Sequence, residues 1–245
     1  MEIIGHRGAR ALLPQNTLPS FELALNNKVP MIEFDTELAK TGEVIIFHDD
    51  ELDQITRGAA HGLVNSFTFN VHDGFTDGKF YQIPTLEEVL DLVDRHSKDG
   101  QRTKVNIELK GANTAEPVST IVKRYLASGW RPADFIVSSF RHDELEKFKQ
   151  IMPELDIAVL LDGQQWQELG GPQPAVDLGR RLGAVAINPD LKFASPELVK
   201  SAHDNGFEVN VYTVNAPEDV RRMAEIGVDR IFTDDPVTAK QTLAA

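Results

Sequence analysis

Short apolar runs with the two-residue period of a strand alternate along this chain with longer segments whose apolar residues return every three or four positions, the spacing of a helix with one buried face. Strands are predicted at 2–5, 30–35, 104–109, 134–138, 156–161, 184–188, 207–213 and 229–233. Helices are predicted between them at 17–26, 85–95, 116–128, 142–150, 175–182, 195–205 and 217–226. The first helix places Leu18, Phe21, Ala24 and Leu25 on one face, with Thr17 as its N-cap and Pro19 in its first turn. The second repeats Leu86, Val89, Leu90 and Val93 at the same spacing. Eight strand–helix units in one chain of 245 residues are what a (β/α)8 TIM barrel requires. An open doubly wound sheet shares this alternation, but the chain has no Gly-rich dinucleotide fingerprint and no Gly-Lys-Ser/Thr phosphate loop to favour it. The stretch Asp50–Pro84 is rich in Gly, Asn, Asp and Phe without a long period, and reads as an insertion. The expectation is one barrel domain over 1–245, interrupted at about 50–84.

Composition narrows what such a barrel could meet. Acidic residues number 38 against 25 basic ones, a net charge of −13 that argues against binding nucleic acid or an anionic membrane. An anionic substrate must therefore find a local positive site. With no cysteine, disulfides, zinc–thiolate centres and cysteine nucleophiles are excluded. The segment Met1–Arg7 lacks a basic region leading into an apolar run, and no segment approaches ~18 consecutive apolar residues, so a soluble cytoplasmic protein is expected.

The candidate chemistry gathers in the stretch from Met31 to Asp49. In an extended chain Glu33 and Asp35 project to one side while Ile32 and Phe34 project to the other. A two-residue turn at Thr41-Gly42, with Lys40 facing Glu43, would pair residues whose numbers sum to 83 and set His48 across from Asp35. Barrel active sites form where strands end, and several polar residues fall there: His6 and Arg7, Glu33 and Asp35, Glu108 and Lys110, Ser138-Ser139, Asn188, Tyr212 and Asn215, and Asp234. Asp234-Asp235-Pro236 also suits a helix cap, and Tyr212 suits wall packing. Glu33, Asp35 and Glu108 offer the hard oxygens that Mg²⁺ or Ca²⁺ takes, with positions left for water or a substrate oxygen. Arg7 and Lys110 supply positive charge for a phosphate, and Gly5 and Gly8 allow close backbone approach. His6 and His48 could serve as a general acid–base pair. Together these groups suggest phosphoester cleavage, and no Ser-His-Asp arrangement competes.

The motifs His6-Arg7-Gly8, Pro14-Gln15-Asn16-Thr17, Ile32-Glu33-Phe34-Asp35, His48-Asp49-Asp50 and Ile107-Glu108-Leu109-Lys110 resemble those of the glycerophosphodiester phosphodiesterase family. Ser138-Ser139-Phe140, Val211-Tyr212-Thr213-Val214-Asn215 and Thr233-Asp234 extend the resemblance almost end to end, most closely to the cytoplasmic bacterial members. It implies a (β/α)8 barrel that hydrolyses small-molecule glycerophosphodiesters to sn-glycerol 3-phosphate and an alcohol. Glu33, Asp35 and Glu108 would hold Mg²⁺ or Ca²⁺, His6 and His48 would be the catalytic pair, Arg7 and Lys110 would contact phosphate, and Tyr212 would line the glycerol pocket. One position departs from the pattern: the family usually has Glu where this chain has Gln15. Gln keeps the amide oxygen but lacks the charge, so Gln15 is placed outside the metal shell. Two alternatives stand beside this reading, a phospholipase D-like lysolipid hydrolase, which needs an exposed apolar lip, and a non-catalytic phosphodiester-binding protein.

Overall fold

In the computed structural model, residues 1–49, 51, 62–66, 68, 74–76, 80–97 and 101–244 are described. Eight parallel strands close on themselves: β1 (Glu2–Gly5), β2 (Met31–Leu38), β6 (Lys104–Leu109), β7 (Phe135–Ser139), β8 (Asp156–Leu161), β9 (Ala186–Pro189), β10 (Glu208–Val211) and β11 (Arg230–Thr233). The seam joins the first strand to both the last and the second, with Gly5 beside Thr233 and Ile4 beside Met31. Three further short strands stand outside the barrel wall: β3 (Val44–Ile46), antiparallel to β2, and the hairpin β4 (Gly74–Thr76) with β5 (Phe80–Gln82).

Helices α1 (Leu18–Asn26), α2 (Leu86–His96), α3 (Ala115–Ala127), α4 (His142–Ile151), α5 (Gly163–Leu169), α6 (Pro172–Leu182), α7 (Pro196–Asp204), α8 (Pro217–Glu225) and α9 (Pro236–Ala244) follow the strands. Their starts are written locally. Thr17 accepts the Ser20 N–H at the head of α1, and Thr85 and Glu88 form a reciprocal capping box on α2. No residue of α5 is fully buried; only Trp166 and Leu169 pack half-buried against the core, too little for periodicity to reveal the helix.

The alternation along each strand sorts two cores. Ile3, Ile32, Phe34, Ile107, Val137, Val159, Ile187, Val209 and Ile231 face outward into one cluster with helix residues such as Phe21, Leu90, Val122 and Phe148. Ile4, Met31, Ile136, Ala158, Ala186 and Phe232 face inward into a small cluster without any helix residue. At the strands' N-terminal end Arg230 bonds Glu2 (2.9 Å) and Glu208, while polar side chains take over toward the C-terminal end: Asn106, Ser138, Asn188 and Asn210 are all buried.

The β2–β3 register corrects the expected hairpin. Thr36 pairs with Ile46, Glu37 with Ile45 and Leu38 with Val44, so paired numbers sum to 82 and Asp35 stands opposite Phe47 rather than His48. Ala39 closes the turn with Glu43, making the loop three residues long, with Gly42 in the left-handed region at φ +99°. The stretch expected as an insertion, 50–84, lies largely outside the described residues. Among the described residues no helix is long and apolar enough to cross a membrane.

Candidate active site

Because the inward positions of β2 are the odd-numbered ones, Glu33 and Asp35 rise one above the other inside the barrel mouth, and the parallel register sets Asp35 beside Glu108 of β6. One oxygen from each of the three carboxylates lies within 4.8 Å of the others. All three residues are buried, at 2%, 0% and 7% exposure respectively. Burial and the neighbouring charges of Asp35 and Glu108 push Glu33 well above the usual carboxylate range. Glu108 is pushed up to about 8 by burial and by Asp35, against the opposing charges of Lys110 and Arg7. Asp35 goes the other way: burial acts to raise it, but the charges of Arg7 and Lys110 and a hydrogen bond from Asn16 help to hold it below the usual value. Asp35 Oδ1 and Glu108 Oε1 are buried without a hydrogen-bond partner. Three crowded hard oxygens, two of them unsatisfied, fit a divalent cation.

The loop after β1 supplies the positive charge. Arg7 sits in the left-handed region at φ +51°, a costly conformation for a residue with a Cβ, and this turns its backbone N–H onto Glu33 Oε2 at 2.9 Å. Its guanidinium lies 3.2 Å from Asp35 Oδ2 through Nε and donates to Gln15 Oε1 at 2.6 Å. Asn16 donates to Asp35 Oδ2 at 2.9 Å. Gln15 thus braces Arg7 from outside the acidic cluster. The two glycines serve the close approach: a Cβ on Gly8 (φ +88°) would stand 2.5 Å from Ser20 Oγ, and one on Gly5 2.5 Å from the Gly8 carbonyl oxygen.

Two imidazoles flank the cluster. His6 binds Asp234 Oδ1 through Nδ1 at 2.6 Å, and burial lowers its pKa while Asp234 pulls it back up. His48 binds Asp49 Oδ1 through Nδ1 at 2.7 Å, and its Nε2 lies 3.1 Å from Lys110 Nζ. Lys110 Nζ is also 3.6 Å from Glu108 Oε1. His48 reaches the rim on irregular chain beyond β3, not through the strand pairing expected for it.

His6, Arg7, Glu33, His48, Glu108 and Lys110 line a cavity of about 540 Å³, while Asp35 is wholly buried. Tyr212 forms its far wall with the ring, edge-to-face with Phe140 (5.6 Å) and Phe232 (6.4 Å), and its hydroxyl is taken up by the Leu161 carbonyl at 2.8 Å. Burial, then the charges of Asp190 and Asp162, hold that phenol protonated. Ser138, Ser139 and Asn188, expected at strand ends, are buried and bonded to Asn106, the Leu109 carbonyl and Asn210 respectively, and none lines the cavity. Phe140, quoted above only as part of a motif, lines it, as do Arg10, Arg141, Asp162 and Asp190, which escaped the sequence reading. Asp162 and Asp190 were findable, since each stands one two-residue step beyond the inward positions Leu160 and Asn188. Asp234 was expected as a helix cap; Asp235 fills that role by accepting the Thr238 N–H at 2.9 Å, and Asp234 turns to His6.

Known proteins resemble the chain over nearly its whole length. It is 33% identical over 246 residues to a glycerophosphodiester phosphodiesterase of Bacillus altitudinis, covering 96% of this chain and 95% of that one. The corresponding enzyme of Caldanaerobacter subterraneus is 32% identical with the same coverage. A solved structure from Silicibacter pomeroyi, 27% identical, superimposes with a TM-score of 0.87 over 100% of this chain and 93% of its own. The profile of the glycerophosphoryl diester phosphodiesterase family matches residues 6–238, from the first imidazole to beyond the carboxylate that holds it, and the chain belongs to that family.

Proposed function

We propose that this protein hydrolyses glycerophosphodiesters to sn-glycerol 3-phosphate and an alcohol, with His6 and His48 as acid and base beside a divalent cation, Mg²⁺ or Ca²⁺, held by Glu33, Asp35 and Glu108. The observation that carries this reading is the buried carboxylate trio, with its two unsatisfied oxygens, flanked by two imidazoles that are each bound through Nδ1 to a carboxylate. When bound, the cation supplies polarisation of a phosphoryl oxygen and neutralisation of the cluster.

The remaining steps belong to side chains. Arg7 and Lys110 border the cluster and offer a fork and a point charge to phosphate oxygens. Lys110 Nζ lies 3.1 Å from His48 Nε2, and in this reading it donates to that nitrogen, with the ring's proton on Nδ1 facing Asp49. His48 is accordingly the base. His6 acts as the acid in its imidazolium form, with one proton on Nδ1 held by the Asp234 carboxylate and the other on Nε2, from which it is donated. The glycerol hydroxyl next to the ester attacks phosphorus and gives its proton to His48. The bond to the alcohol breaks, and the departing oxygen takes a proton from His6. Water then opens the cyclic phosphate with the two histidines in exchanged roles. Tyr212 contributes an apolar wall through its ring.

The test is release of sn-glycerol 3-phosphate from glycerophosphocholine and glycerophosphoethanolamine with Mg²⁺, with Ca²⁺ and with chelator. Product that appears with metal and vanishes with chelator is expected. Turnover of lysolipids alone would select the phospholipase D-like alternative, and binding without turnover the non-catalytic one.

A further inference from the structure

We propose that Asp234, clamped by Asn215, is the positioning residue of His6: it holds the Nδ1–H, so that Nε2, protonated in the imidazolium that acts as the acid, is turned to the substrate. This deepens the proposed function and rests on its reading of His6 as the acid.

The polar atoms of Asp234 are spent on this arrangement. Oδ1 receives His6 Nδ1 at 2.6 Å and lies 3.4 Å from Arg10 Nε. Oδ2 accepts from Asn215 Nδ2 at 2.9 Å, and the Asp234 N–H donates back to Asn215 Oδ1 at 2.9 Å. Its carbonyl accepts the Ala11 N–H at 2.9 Å, and the His6 N–H donates to the preceding Thr233 carbonyl at 3.0 Å. Three chain segments, the ends of β1, β10 and β11, are thereby tied around one carboxylate. Asn215 leaves that carboxylate little rotational freedom, so the imidazole bound to it is held in orientation as well. The imidazolium carries an N–H on each nitrogen; with Nδ1–H captured by the carboxylate, the proton given up is the one on Nε2, and the neutral ring left behind is the Nδ1–H tautomer. The second pair is built more loosely: Asp49 is the immediate chain neighbour of His48, and those side chains are 25% and 27% exposed, against 17% and 12% for Asp234 and His6.

The experiment uses the full-length protein with ¹⁵N-labelled histidine, with His6 resonances assigned through His6→Gln. Neutral His6 should carry its proton on Nδ1 in the parent chain and shift to the Nε2–H form in Asp234→Ala. In parallel, kcat and KM are measured with Mg²⁺ on sn-glycero-3-phosphoethanolamine and on the p-nitrophenyl ester of sn-glycerol 3-phosphate, whose leaving group needs no proton. Asp234→Ala should lower kcat on the first by about 100-fold with KM within about threefold, and spare the second, as loss of an oriented general acid does. Asp234→Asn should be intermediate, and it carries both measurements if Asp234→Ala does not fold. Retention of Nδ1–H in the variant, or equal losses on both esters where His6→Gln discriminates between them, overturns the proposal. If His6→Gln itself lowers both esters equally, the acid role of His6 fails, and the tautomer spectrum still decides whether Asp234 positions the ring.

Discussion

Gln15 departs from the family pattern at a position that braces Arg7 by a hydrogen bond. Its amide oxygen receives the Arg7 guanidinium at 2.6 Å, and its contacts do not include Glu33, Asp35 or Glu108. Gln15→Glu should therefore leave the metal-activation curve where it is. Arg7, now facing a second carboxylate besides Asp35, should hold phosphate less well, and KM should rise roughly two- to fivefold with kcat little changed. Titration of activity with Mg²⁺ in both proteins checks this; a shifted curve would place position 15 in the metal's environment. The residue identities of this site were legible because period two and strand ends are local properties. The partner of His6 was not, since Asp234 is also a good helix cap by composition and only the closed barrel reveals which of two adjacent aspartates turns inward.

Among the elements, the β1–α1 loop is under the tightest constraint. Gly8 packs onto the backbone of α1, where a Cβ would meet Ser20 Oγ at 2.5 Å and the Ser20 carbonyl carbon at 2.7 Å, and its φ of +88° disfavours any side chain. Gly8→Ala should cost roughly 1–3 kcal/mol, lowering Tm by roughly 3–10 °C. It should also lower activity beyond that, because the same loop aims the Arg7 N–H at Glu33. Calorimetry and kcat on the purified variant test both; a stable, fully active variant would show that the loop has slack. The hairpin illustrates a limit of local reading. Thr41-Gly42 suggested a two-residue turn, but Gly42 adopts the left-handed conformation that closes a three-residue loop, and one added residue shifts every pairing by one. Helix α5 was invisible for a different reason: seven residues with only Trp166 and Leu169 packed against the core leave too short a periodic trace.

For the molecule as a whole, the carboxylate trio sets how stability depends on pH and metal. Glu108 has a usual value of 4.5 and is raised to about 8 in the folded chain, and Glu33 is raised as well. Between those values the folded state binds more protons than the unfolded one, so stability falls as pH rises. In chelator, Tm should be highest near the lower value and decline as pH passes through about 8; with Mg²⁺ or Ca²⁺ the decline should flatten, and metal uptake should release protons. Glu108→Gln removes one of the crowded charges. Its Tm in chelator at pH 8 should exceed that of the parent while metal-dependent turnover drops about 100-fold or more. A parent Tm that is flat across this range in chelator would mean the trio is not strained.

The barrel closes by joining its first strand to its last, and the contact between His6 and Asp234 spans that joint across 228 positions of sequence. During synthesis the ribosome completes β2 and β6, with Glu33, Asp35 and Glu108, long before it reaches codon 234. The three carboxylates of the cluster are thus made well before the carboxylate that binds His6. If His6 needs Asp234 as proposed, turnover cannot begin until that joint has closed.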